Sequence, residues 1–182
     1  YWSVGEKQAY NLNNSEYRVS GSDTTLVESS TEIMIIEVLA QTETSYQLGI
    51  TYEDVYYSDP EMNLLYGQLT ESMGDKPILI TTDQFGSIVS IDNLEEMTAM
   101  QLSLADPLLE MMEKESGEEL DEETREAMRQ YMKTLLGSPE LMQQAVVGEV
   151  GRMFEFHGNR LDLGKEYSGQ IQVASILPGV DT

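Results

Sequence analysis

The stretch PILITTDQFGSIVSIDNLEEMTAM, Pro77–Met100, changes its period half-way along. Up to Ile91 it holds two β-branched runs on either side of Asp83-Gln84-Phe85-Gly86. That arrangement predicts a hairpin over 77–91, with Gly86 supplying a positive φ in the loop. From Asn93 the apolar residues recur every three or four positions, as Met97, Met100, Leu104, Leu108, Met111 and Met112. This is helical spacing. Asn93 with Glu96 three residues later has the form of a capping box. The chain therefore passes from sheet to helix at about residue 93.

Towards the N-terminus the pattern is strand-like over about 6–58. QAYNL and YRV alternate, and their phase slips at Asn13-Asn14-Ser15, which predicts a bulge there. TEIMIIEVLA, Thr31–Ala40, is apolar at Met34, Ile36 and Val38 and also at Ile33, Ile35 and Leu39. A strand of that kind is expected to be covered on both faces. YQLGITYEDVYY puts Tyr46, Leu48, Ile50 and Tyr52 on one side and Gln47, Gly49, Thr51 and Glu53 on the other, as a strand with one wet face does. Asp59-Pro60 then reads as a helix start, with a helix over about 60–73.

Towards the C-terminus helices continue over about 93–149. Asp106-Pro107 interrupts the first stripe and predicts a kink or two helices. A second helix is expected over about Leu120–Leu136, burying Thr124, Met128, Tyr131, Met132 and Leu135, with Gly137 as its C-cap. Ser138-Pro139-Glu140 starts a third, turning Leu141, Met142, Ala145 and Val146 inward. Strands return over 152–177, where RMFEFH and RLDLG flank a Gly158-Asn159 turn. Strands divided by a block of helices predict one α+β domain spanning 1–182: a curved antiparallel sheet, half-barrel-like, with the inserted helices on one face.

Composition narrows the function classes. Thirty-three acids against ten bases give a formal charge of −23. No Lys or Arg occurs between Arg18 and Lys76, a span holding eleven acids. Such a surface repels phosphate backbones, so a nucleic-acid partner is not expected, and neither is docking on anionic lipid. No apolar run is long enough for a transmembrane segment. There is no cysteine, hence no disulfide framework and no thiolate chemistry. The opening Tyr1-Trp2 reads as a processed start.

Catalytic signatures are not found. MMEKESGEELDEETREAM, Met111–Met128, carries eight carboxylates, yet it lacks the alternating spacing of a calcium loop. Ser116 with Glu119 has capping-box form, and Asp121, Glu122 and Glu123 fall in a first helical turn, where the dipole stabilises acids. Asp121 stands four residues before Arg125, a favourable helix-surface spacing. The run is therefore expected to be a solvated helix junction. His157 is the single histidine, without partners for a zinc site or a nucleophile. No G-x-S-x-G, Walker A or G-x-G-x-x-G pattern is present, so no catalytic residue, metal or cofactor is assigned.

Eight of the eleven methionines lie between Met97 and Met153. A methionine stripe fills a core or lines an adaptable apolar cavity. The candidate lining is Met97, Met100, Leu104, Met128 and Met132.

The hairpin ITTDQFGSIVSID, the helical insertion, and FEFHGNRLDLGKEYSGQIQV with its Leu163-Gly164 and Tyr167 resemble a broad group of uncharacterised bacterial exported proteins and lipoproteins. The plan is similar to the half-barrels of envelope lipoprotein carriers. The resemblance implies a periplasmic or surface location in the bacterial cell envelope, a lipid-anchored cysteine trimmed from the N-terminus, and further strands beyond LPGVDT. It also implies a non-enzymatic role: binding an apolar small molecule or an envelope protein. A structural or scaffolding module without a ligand, and a hydrolase with an unrecognised site, are the alternatives. Oligomeric state is not assigned.

Overall fold

In a computed structural model, residues 2–73, 76–117 and 120–154, with 162, 164 and 165, are described. The expected strands beyond 154, the Gly158-Asn159 turn, His157, and Glu118 and Glu119 of the acidic stretch lie outside the described residues. The elements follow in the order β1 (Lys7–Ser20), β2 (Asp23–Gln41), β3 (Ser45–Tyr57), α1 (Pro60–Met73), β4 (Ile78–Asp83), β5 (Ile88–Ile91), α2 (Leu94–Leu102), α3 (Ala105–Ser116), α4 (Glu122–Leu136) and α5 (Pro139–Phe154). The strands form one open, curved sheet in sequence order, β1-β2-β3-β4-β5, with every pair antiparallel. The chain is α+β, as its patterning implies.

One face of the sheet carries the core. Met34, Ile36 and Val38 of β2, Leu48 and Ile50 of β3 and Ile80 of β4 are all at most 3% exposed. Met97 of α2 and Val146, Val150 and Phe154 of α5 pack on them. Phe154 and Tyr46 both lie against the Trp2 ring, at centroid distances of 5.6 and 5.8 Å. The expectation that β2 is covered on both faces does not hold. Ile33 and Ile35 are half-buried and Leu39 is 38% exposed, because α2 and α5 pack on the opposite face. Leu39 instead folds over Gly49, where a Cβ would meet its Cδ1 at 3.1 Å.

Other expectations shift by physical cause. The first bulge is not at Asn13-Asn14-Ser15 but between Glu16 and Tyr17, where β2 supplies the extra residue, Val27. Asn93 opens α2 without a side-chain cap. Its amide accepts from Leu79 N–H and donates to Pro77 C=O, both at 2.9 Å, tying α2 to β4, while Glu96 pairs with Lys76. Two helices do form, α2 and α3, but the break falls at Ser103-Leu104 and not at Asp106-Pro107, which lies in the first turn of α3, where a proline's missing N–H costs no helical bond.

Ser116 ends α3, with Gly117 as a left-handed C-cap at φ 66°, so it does not cap α4. Asp121 does, accepting from the N–H and hydroxyl of Thr124. No residue of α4 is fully buried: Thr124 and Tyr131 are exposed, because this helix packs on other helices and not on the sheet. Gly137 caps α4 as expected, but at φ −86°; glycine is required because a Cβ would stand 2.7 Å from Lys133 O. The strand expected from 152 is not found over Arg152–Phe154. Arg152–Phe154 extend α5, since Phe154 continues the four-residue spacing of Val146 and Val150. This stripe leaves Leu141 and Ala145 exposed.

Candidate functional site

The five residues proposed as an apolar lining are spread over α2, the start of α3 and α4. Met97 is 4% exposed within the core cluster, and Met100 packs at its margin. Leu104 is buried at the start of α3, outside that cluster. Met128 and Met132 are half-buried on α4. Among the described residues, two clefts open in the helical layer. One, of about 190 Å³, lies between α1 and α3, against Leu64, Leu65, Pro107 and Met111. The other, of about 340 Å³, lies between α3 and α4. Neither is lined by any of the five.

The second cleft contains the acidic stretch's chemistry. Arg125 does not turn to Asp121 on its own helix. It reaches α3 and pairs with both carboxylate oxygens of Glu113, with Nε at 3.0 Å. Arg129 joins Asp106 at 2.7 Å and Glu126 at 2.6 Å. The hydrogen bonds from Arg125 and Arg129 hold the carboxyls of Glu113 and Asp106 below the ordinary range. Bidentate guanidinium–carboxylate geometry fixes direction as well as charge. These acids thus clamp two helices, and the described part of the junction has the structural role its sequence suggests.

A different group converges where β2, β3, α1 and α5 meet. Register places Leu12 opposite Glu32 on the helix-bearing face. On the other side of Glu32, β3 bulges: Thr31 pairs with Tyr56 and Ile33 with Glu53, so Asp54 and Val55 share one partner position. Asp54 takes a left-handed φ of 50°. An extra residue reverses the side-chain alternation. Tyr52 and Tyr57, which would otherwise point apart, therefore come to one face beside Glu32. The Asn63 amide of α1 accepts from Tyr57 N–H and donates to Tyr57 C=O, both at 2.7 Å, and fixes the strand end. Tyr66 of α1 lies 5.7 Å from the Tyr57 ring, and Tyr52 donates its hydroxyl to Glu149 of α5 at 2.9 Å.

The electrostatics of this group are one-sided. Burial, then the Glu149 charge, raises the Glu32 pKa. Burial followed by Glu149 raises Tyr52, and burial followed by Glu32 raises both Tyr57 and Tyr66. Neither glutamate belongs to an ion pair among the described residues. The site was missed in the sequence because Tyr52, Tyr57 and Glu32 look like ordinary alternating strand residues. The readable signal was the phase change across Glu53-Asp54-Val55.

Beyond this site the sheet narrows to two strands among the described residues. β3 pairs with β2 no further than Ser30–Tyr57, with Ser58 N–H adding one bond to Ser29 C=O. β1 and β2 continue as a ribbon to the turn at Gly21. Tyr17 faces Leu26 across the ladder, and Val19 lies two residues further along the Tyr17 side. Comparison with known families, curated proteins and solved structures gave no match. No helix among the described residues is long and apolar enough to cross a membrane.

Proposed function

We propose that this chain is a non-enzymatic binding protein of the bacterial cell envelope, and that it binds another protein through the β1–β2 ribbon. The observation that carries this reading is the exposure of Tyr17 (57%), Val19 (69%), Leu26 (50%) and Val27 (47%) on two strands that pair with no third among the described residues. Scattered exposed apolar residues are ordinary, but a group of them on one projecting element marks an interaction surface. A two-stranded ribbon standing alone is marginally stable, so it gains from being covered. Envelope placement rests on the sequence resemblance. The non-enzymatic part rests on the same resemblance and on a sequence without a recognised catalytic motif. The scaffolding alternative draws support from Met97, which is packed as a core residue.

The test is a photo-crosslinking side chain placed at Val19, with Tyr131 (56% exposed on α4) as the control position. The expected result is one discrete protein adduct from position 19 in intact cells and none from 131. Stoichiometric uptake of the neutral dye Nile red by the folded chain, with no adduct at 19, would instead support an apolar small-molecule carrier.

A further inference from the structure

We propose that the helix-bearing face of the ribbon's foot binds a lysine- or arginine-bearing segment of that partner; the assignment rests on the protein-binding reading above. Glu16 and Glu28 stand directly opposite one another across β1 and β2. Like charges so placed destabilise a ladder. Ser30 and Glu32 follow along β2 on the same face, and Glu149 approaches from α5 beside Tyr52. None of these four glutamates is in an ion pair among the described residues. Arg18, exposed and two residues further out on β1, pairs with none of them. Tyr52, Tyr57 and Tyr66 form one wall of the same site, and ring faces attract ammonium and guanidinium groups.

The fold carries this repulsion uncompensated, and an incoming cation relieves it. A second copy is the wrong occupant, since it brings another −23. A multidentate metal is also disfavoured, because no group of three or more ligating side chains occurs among the described residues. An extended basic segment supplies cations at the spacing of alternate strand residues, which matches the row Glu28, Ser30, Glu32.

The experiment titrates a fluorescent (Lys-Val)5 peptide, with (Glu-Val)5 as control, against the parent chain, Glu28→Gln/Glu32→Gln, and Glu95→Gln/Glu122→Gln. The two variants carry the same net charge. The expected result is binding to the parent and to Glu95→Gln/Glu122→Gln, weakened at least about tenfold in Glu28→Gln/Glu32→Gln. Equal weakening in both variants would mean a diffuse field only, and overturns the assignment. So does failure of the parent to bind (Lys-Val)5, or displacement of the peptide by stoichiometric spermine, which would mark a polyamine site. If position 19 crosslinks while the peptide does not bind, protein binding stands and the basic-segment assignment falls. Peptide binding that depends on Glu28 and Glu32, without a crosslink at 19, leaves the cation site standing and removes docking on the ribbon.

Discussion

At the scale of single residues, the same side chain differs in consequence with its surroundings. Met97 is 4% exposed and touches sheet and helix, whereas Met128 is half-buried on a helix that packs on other helices. Truncating a close-packed methionine opens a void, so Met97→Ala should cost about 2–5 kcal/mol, and Met128→Ala less than about 2. Urea denaturation of both variants checks this; equal losses would refute it. Glu32 behaves in the opposite way. Its folded pKa is raised, so its favourable contribution is complete below the unfolded value and is lost as pH rises through the folded one. Glu32→Gln should therefore raise the midpoint of thermal unfolding at about pH 7 and give no gain at about pH 3, where the carboxyl is protonated in both states. A stabilisation that is the same at both pH values would show that charge is not the cause.

At the scale of elements, joints were harder to read than bodies. Helical spacing located α1, Asp106-Pro107 signalled two helices although the break falls at Ser103-Leu104, and β-branched runs located the β4–β5 hairpin. Asn93 was misread because a capping box is a local pattern, while its amide had a nearer use at the exposed start of β4. Asn93→Ala leaves two part-buried backbone groups without partners, a loss of about 1–3 kcal/mol. Glu96→Gln removes only an exposed pair with Lys76 and should be close to neutral. Hydrogen exchange at Leu79 should speed up in the first variant and not in the second. Similar losses in both would restore the capping box. Arg152–Phe154 failed for a related reason: alternation over three residues fits a strand and one turn of helix equally well, and only contact with Trp2 and the core favours the helix.

At the scale of the whole molecule, the sheet has two regions. Over β2–β5 it is backed by helices and filled with aliphatic side chains. Over the outer part of β1 and β2 it is, among the described residues, a two-stranded ribbon, rich in acid at its foot and apolar near its tip. Charge is distributed accordingly. The helical layer pairs Glu113, Asp106 and Glu126 with arginines, while Glu16, Glu28, Glu32 and Glu149 are in no ion pair among the described residues. Within the acidic stretch, the densest in sequence, Glu113 and Glu126 are paired with arginines and Asp121 caps α4. Glu16, Glu28 and Glu32 of the strands belong to no ion pair among the described residues.

The sequence by itself determined the class: strand periods, a change to helical period at Asn93, and hence an antiparallel sheet with helices on one face. It determined the sign and size of the charge and the helix-end role of the carboxylates around Asp121. These are local or summed quantities, fixed by neighbours within a few residues or by composition. Which face of β2 is covered, which acids find an arginine, and that Tyr52, Tyr57, Tyr66, Glu32 and Glu149 meet were decided only in three dimensions. Their convergence depends on one left-handed residue, Asp54, and on pairings between positions up to 97 apart, such as Tyr52 with Glu149. A one-residue bulge exchanges the faces of everything beyond it.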